Sequence, residues 1–376
     1  MYQTIPIPLG TVSFSAGGQA TLDFSALQPQ IAGRIPHLRH ITFDTQITPT
    51  LSSGSVKPLD LQKAVKSLVL QDGVRTLFQG SFASLRGFEV LENGRVTSPE
   101  NDVATTGQAV NYQRVWNAGP LGLASLTDFV MPAACYRGGS MQFGFGALTD
   151  VSANCTALTA TITVVAHVAL HDELIFGSLY ERREQLVSNG VSVGQEALYA
   201  YAGFAKASTF STFSAGDVAS LSIDFLGYST KPVHVAALER AFHSLVVDGG
   251  VGGYGQSHGE PRAATDVNPK VFNGTAIAAA DSTLIPAIWT ERLAKITKLV
   301  YAASPAITFN WTGTASSLYG MLGRIVPKDS TRIGSYAALV EQALGLRVKT
   351  MDARTLSKAP YNGPRRAYLP NKAKVA

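Results

Sequence analysis

Residues 158–170 read as one long strand with two unlike faces, and that pattern limits the chain more than any other. Leu158, Ala160, Ile162, Val164, Ala166, Val168 and Leu170 fall on one side. Thr159, Thr161, Thr163 and His167 fall on the other. A period of two sends alternate side chains to opposite faces of a sheet. One face is therefore buried, and the other is lined with threonines.

The same alternation recurs along the chain. Val12 and Phe14, then Ala20, Leu22 and Phe24, flank Gly17-Gly18 as a strand–turn–strand signal. In Arg39–Thr48, Ile41, Phe43, Thr45 and Ile47 alternate with His40, Thr42, Asp44 and Gln46. Val65–Leu70 is a short β-rich run, Asp72-Gly73 supplies a turn, and Phe78–Phe88 reads as a further strand. Asn93-Gly94 has the chemistry of a tight hairpin turn. Residues 95–125 are polar and weakly periodic, and read as long loops. Thr127–Tyr136 is apolar around Pro132, and Ser140–Phe145 is a short strand. Roughly eight strands and no helix are expected in the first 170 residues.

Glu173–Ser188 differs, because Glu181-Arg-Arg-Glu184 sits among Leu174, Ile175, Leu179 and Leu186 at mixed helical spacing. It reads as a short linking helix, with a domain boundary near residue 180. The strand pattern then restarts at Ala197–Ala207 and Val218–Phe225. Pro232–Leu245 reads as a helix, Arg292–Tyr301 and Ala306–Trp311 as strands, and Ser335–Leu344 as a short helix with Ser335 at its N-cap. The expected organisation is a first unit over 1–172, a linker over 173–190, a second unit over 191–350 with a long loop at 246–285, and an extended basic tail over 351–376.

Composition bears on the surface. Charged residues are 15% of the 376, where ordinary soluble domains carry about 25%. The deficit fits a surface covered largely by neighbours. The net charge of +5 is also uneven. From Arg347 onward there are eight basic residues and one acid, Asp352, so the last segment carries +7 and the preceding 346 residues sum to −2. The body is nearly neutral and the basicity is C-terminal. The tail residues Arg354, Lys358, Arg365, Arg366, Lys372 and Lys374 are the candidate contacts for an anionic surface, either lipid headgroups or packaged nucleic acid. A solvated tail and a tail docked on a neighbouring subunit are the alternatives.

Catalytic signals are poor. Gly255-Gln-Ser257-His-Gly259 matches a nucleophile elbow in letters, but glycines precede it and Glu260-Pro261 follow, where a strand and a helix are required. Asp248–Gly255 lacks the lysine and spacing of a phosphate loop. His167 and His171 stand four apart on a strand, roughly 13 Å of chain, too far to share one ion. The two cysteines, Cys135 and Cys155, read as free buried thiols. No catalytic residue, cofactor or metal is expected. Met1–Gly10 has no signal-peptide character, and no apolar run reaches the ~18 residues of a membrane span, so a soluble product is expected.

Four segments in this order carry a resemblance: Leu38-Arg-His-Ile-Thr42, Lys66-Ser-Leu-Val-Leu-Gln-Asp72, Phe129-Val-Met-Pro-Ala-Ala-Cys-Tyr136, and the long strand ending at Leu170. Over residues 8–170 the chain resembles the double jelly-roll major capsid proteins of tailless icosahedral viruses, especially bacteriophages with an internal membrane. The resemblance implies an all-β fold of two antiparallel eight-stranded jelly rolls side by side with a few short helices. It further implies homotrimers with pseudo-hexameric outlines that tile a virion shell beside neighbouring trimers, penton and minor capsid proteins. It implies no enzyme activity, and an internal lipid membrane or packaged genome within reach of the C-terminal tail. A β-sandwich carbohydrate-binding module is the other class open to a chain of this kind. It would need an aromatic groove, and Trp116, Trp289 and Trp311 are scattered.

Overall fold

A computed structural model describes residues 4–56, 58–93, 104–119, 131–177, 179–193, 198–206, 216–225, 228–229, 231–234, 285–288, 307–326, 338, 341–342 and 350–352. The first half supplies β1 (Thr4–Ser13), β2 (Gln19–Asp23), β3 (Ile35–Leu51), β4 (Val65–Gln71), β5 (Thr76–Gly80), β6 (Val110–Asn117), β7 (Met131–Pro132), β8 (Ser140–Phe145) and β9 (Cys155–His171). Among the described residues three α-helices interrupt them, α1 (Pro58–Leu61), α2 (Phe82–Asn93) and α3 (Leu148–Val151), with 3-10 turns at Gln62–Ala64 and Ala133–Tyr136. The second half continues with β10 (Leu174–Phe176), β11 (Leu179–Ser188), β12 (Ser192–Val193), β13 (Leu198–Ala205), β14 (Ser220–Phe225) and β15 (Tyr228–Ser229). It ends with β16 (Val233–His234), β17 (Ile285–Ile288), β18 (Ile307–Thr312), β19 (Ser317–Val326) and β20 (Thr350–Asp352).

The strand orders of the two halves match one for one. In the first half the sheets run β1-β9-β3-β6 and β2-β8-β4-β5. In the second they run β11-β19-β13-β17 and β12-β18-β14-β15. Eight of the nine first-half strands thus have a counterpart ten or eleven strands later, in the same place in its sheet; β7, paired beside β3, stands outside the scheme. The halves share one sheet, because β5 pairs in parallel with β11 through Arg182↔Phe78 and Arg183↔Gln79. Four strands from each half then form one eight-stranded sheet, while β1-β9-β3-β6 and β12-β18-β14-β15 cover it from their own sides of the chain.

The long strand reads as its sequence requires. Ile162, Val164, Ala166 and Val168 are buried, and Thr159 and Thr163 are exposed. β9 pairs with β3 over nearly its whole length, from Ile35↔His171 to Leu51↔Cys155. The first core forms where the two sheets face each other. There Phe43 of β3 meets Phe82 of α2 and Phe143 of β8 at ring-centroid distances of 5.6 and 6.3 Å. In the second half Phe204 packs edge-on to Phe309 at 4.9 Å and against Trp311 at 6.1 Å. The Asp72-Gly73 turn forms as read: Asp72 Oδ1 accepts from the N–H groups of Val74 and Arg75 at 3.0 and 2.8 Å, and Gly73 holds φ +90°. Both cysteines are free and buried.

Several sequence expectations are corrected. Phe78–Phe88 is not one strand: β5 stops at Gly80 and α2 begins at Phe82. Ser81 and Ser84 cap that helix reciprocally, Ser84 N–H donating to Ser81 Oγ at 3.0 Å and Ser81 N–H to Ser84 Oγ at 2.6 Å. Asn93 ends α2 and is no hairpin turn, while Gly94 lies outside the described residues. The 95–125 stretch contains a ladder strand, β6, paired with β3 from His40↔Asn117 to Ile47↔Val110. Glu173–Ser188 is not a helix but β10 and β11. Its four consecutive charges, Glu181 to Glu184, are tolerated in a strand because each finds a partner, as described below. Val233 and His234 are extended, paired with Leu221 and Ser220, so no helix starts at Pro232; the remainder of that predicted helix, and the Arg292–Tyr301 strand, lie outside the described residues. Ala338, Glu341 and Gln342 are helical, within the predicted Ser335–Leu344 helix. No described helix is long and apolar enough to cross a membrane.

Candidate functional site

The tail residues singled out by charge, Arg354, Lys358, Arg365, Arg366, Lys372 and Lys374, all lie outside the described residues. So does the Gly255–Gly259 motif. The described chain does show how the tail leaves the body. Thr350–Asp352 forms β20, parallel to β10, with Leu174, Ile175 and Phe176 opposite Thr350, Met351 and Asp352.

β10 in turn is seated on the end of the β3–β9 ladder, where four of the chain's seven histidines gather. His37 is fully buried, and its Nε2 accepts the Ile175 N–H at 3.0 Å. Its Nδ1 therefore carries the proton, donated to the Ile35 carbonyl at 3.0 Å. The His171 ring stands edge-on to His37 at 4.8 Å. One step along the ladder His40 stacks on His167 at 4.3 Å, and Thr42 Oγ1 lies 3.2 Å from His167 Nε2. Burial, then the neighbouring His171, pushes His37 down to about 3. Burial and His167 push His40 down to about 4. Burial also lowers His167 and His171. Beside them Arg34 clasps Asp172 through two nitrogens, at 2.7 and 3.3 Å. Sequence reading noticed His167 and His171 as a spacing on one strand. It missed their partners, because an antiparallel register is needed to bring His37 and His40 across.

A second cluster fastens the joint between the halves. Arg182 on β11 is 1% exposed. Its guanidinium donates to the carbonyls of Asn117 and Gly119 at 2.7 and 3.3 Å, and lies over the Tyr180 and Trp116 rings at 4.3 and 5.9 Å. Glu184 accepts from the Ser81 N–H at 3.2 Å, at the N-terminus of α2, where a carboxylate is favoured by the helix dipole. Burial raises the Glu184 carboxyl, against the hydrogen bonds from Ser84 and Ser81. Glu181 pairs with Arg183 at 3.4 Å. Below them Arg114 of β6, fully buried, stands 4.0 Å from Glu89 of α2 and donates to Gln62 at 3.1 Å. Burial lowers Arg114 to about 10.

The outer face of the first sheet carries a shallow polar depression of about 490 Å³, lined by Asp44, Gln46, Asn111, Gln113, Thr161 and Thr163 among others. Gln113 donates to Asp44 at 2.5 Å. The lining offers amides, hydroxyls and one carboxylate, without a paired acid and base. Trp116 and Trp311 are buried, so neither belongs to an exposed aromatic groove. Among the described residues no group of three His, Cys, Asp or Glu side chains could hold a metal ion.

No protein-family model and no curated protein matches the sequence. Solved structures do match. The major capsid protein of STIV superposes at a TM-score of 0.54 and 12% identity, over 86% of this chain and 97% of that one. The atomic structure of Sulfolobus Turreted Icosahedral Virus gives 0.54 and 12%, over 91% and 97%. The major capsid protein from Bacteriophage PM2 gives 0.51 and 8%, over 87% and 99%. At such identities the likeness speaks for the fold, and it agrees with the strand-for-strand repeat: the chain is an all-β double jelly roll, two antiparallel rolls side by side.

Proposed function

We propose that this chain is a structural subunit of an icosahedral viral shell, a major capsid protein, and not an enzyme. The observation that carries the reading is the joined pair of rolls, which spans 97–99% of the capsid proteins it superposes on. Three copies of a two-roll chain place six similar units around a threefold axis. That gives a near-hexagonal tile from a trimer, which packs against neighbouring trimers, penton and minor capsid proteins in the virion. A charged fraction of 15% suits a surface mostly covered by neighbours. The rolls divide as 1–172 and 191–350, with 173–190 as the connection, 246–285 as a long loop and 351–376 as the basic tail.

In this reading the tail faces the shell interior. Arg354, Lys358, Arg365, Arg366, Lys372 and Lys374 contact internal lipid or packaged genome. Each basic residue near an anionic bilayer contributes about 1 kcal/mol, and many copies on one surface multiply the effect. Light scattering and negative-stain electron microscopy of the purified chain test the assignment. Trimers with six-lobed outlines, closing into shells, are the expected result. A stable monomer at micromolar concentration overturns it.

A further inference from the structure

The histidine cluster sits where the basic tail is fastened to the body, and its chemistry is that of a latch. Leu174 and Ile175 of β10 are buried, at 0% and 1% exposure. The Ile175 N–H has its acceptor in His37 Nε2. β10 then carries β20, the last described strand before the 24 residues that follow Asp352. We propose that His37 is an acid-operated latch: taking up a proton at Nε2 removes the acceptor that holds β10, and frees the β10–β20 pair together with the root of the tail.

The groups around His37 all favour this response. From β9 the His171 ring faces it edge-on. From β3 itself Arg39 is the nearby charge, and it opposes a second one. β7 meets the strand through Pro132, opposite His37, and Met131, opposite Leu38, neither of which titrates. From β10 the partner is a backbone N–H, a donor that cannot accept from an imidazolium. Arg34 and Asp172 lie beyond His171 and neutralise each other. His40 and His167, stacked one step along, add two more bases with lowered basicity. Among the described residues no carboxylate hydrogen-bonds to His37 to stabilise the cation. The closed form therefore resists protonation down to about pH 3, whereas an opened His37 regains its ordinary value of 6.5. A group with this depressed value supports the closed form above pH 6.5 and loses that support as the pH falls toward 3. With one linked proton the opening equilibrium approaches a tenfold rise per pH unit below pH 6.5, about 50-fold between pH 6.5 and 4.5 and about 100-fold between pH 7.5 and 4.5.

The inference does not depend on the shell assignment, since it concerns one chain's local opening. Hydrogen–deuterium exchange of the full-length protein from pH 7.5 to 4.5, corrected for intrinsic exchange rates, tests it. Protection at 174–176 and 350–352 should fall about 100-fold over that range, most of it below pH 6.5, while the β3–β9 ladder stays protected. His37→Gln keeps a side-chain acceptor but cannot titrate, and should flatten the dependence. His171→Gln keeps the hydrogen bond and the titrating His37, and should leave the acid opening in place. Acid loss of protection in H37Q equal to that of wild type overturns the proposal, as does pH-independent protection in wild type. If H37Q fails to fold, the ¹⁵N shift of His37 Nε2 in the wild-type protein decides. An imidazolium at pH 5 with β10 still protected refutes the latch, and a neutral ring that protonates only as β10 opens supports it.

Discussion

Arg182→Leu should show how much of the molecule's cohesion passes through the joint between the rolls. The substitution leaves the Asn117 and Gly119 carbonyls without the guanidinium donors that reach them at 2.7 and 3.3 Å. An orphaned buried acceptor costs about 1–3 kcal/mol, and the loss of a desolvated cation over the Tyr180 and Trp116 rings costs about 2 kcal/mol more. Against this, an apolar side chain escapes the desolvation of a buried guanidinium, worth several kcal/mol. The balance is a destabilisation of about 3 kcal/mol. Unfolding entropy near 2.1 cal/mol/K per residue gives roughly 0.8 kcal/mol/K for 376 residues. The melting temperature should therefore fall by about 4 °C if both rolls unfold together, and by about 8 °C in the first transition if one roll melts alone. Differential scanning calorimetry reads both the shift and the number of transitions. Arg182→Lys retains the charge without the planar fork and should lie between. An R182L protein melting within about 1 °C of wild type would show that burial cost and bonding cancel, and the pin would then have no net role in stability.

Phe43→Ala empties the contact between β3, α2 and β8 and should cost about 3–5 kcal/mol by urea titration. Gly73→Ala forces an L-residue to φ +90° with its Cβ 2.9 Å from the Gly138 carbonyl oxygen, and should cost about 1–3 kcal/mol by the same measurement. Deleting 353–376, or reversing Arg365, Arg366, Lys372 and Lys374 to Glu, should leave the fold intact by circular dichroism while weakening particle assembly or retention of the interior contents. Rising salt should mimic the reversal, since screening shortens to about 8 Å at physiological ionic strength. Normal assembly of the truncated chain at every salt concentration would rule out that role for the tail.

The strands that alternate cleanly were legible because burial on one face writes itself into every second residue, as in β3 and β9. The failures share a physical cause. β6 hides its period because Arg114 occupies an inward position, satisfied by Gln62 and Glu89, which no local pattern reveals. α2 reads as strand in sequence because Phe82, Ala83, Leu85, Arg86, Phe88 and Glu89 are all buried, and a helix enclosed on most sides lacks the apolar stripe that betrays its period. Its start was nonetheless written in Ser81 and Ser84. β11 reads as helix in sequence because four consecutive charges look solvated, whereas Arg182 and Glu184 find their partners on β6 and at the N-cap of α2, more than 60 residues away in sequence. The candidate site suffered most. The tail's charge was visible, but the histidine junction depends on a cross-strand register that a bulge between Leu38 and His40 shifts by one residue.

The pairing of β5 with β11 is a head-to-tail contact between two like units, and contacts of that kind run on from unit to unit unless their rotation closes a ring. Its repetition between separate chains would set β1, the counterpart of β11, against β15, the counterpart of β5. Continued from chain to chain without a closing rotation, that step would draw the protein into a fibre. β1 is placed to refuse it: Pro6 and Pro8 carry no N–H to offer a newcomer, and the strand bulges between Pro8 and Gly10. A chain with one permanent joint between its like halves thus keeps an edge that blocks the next.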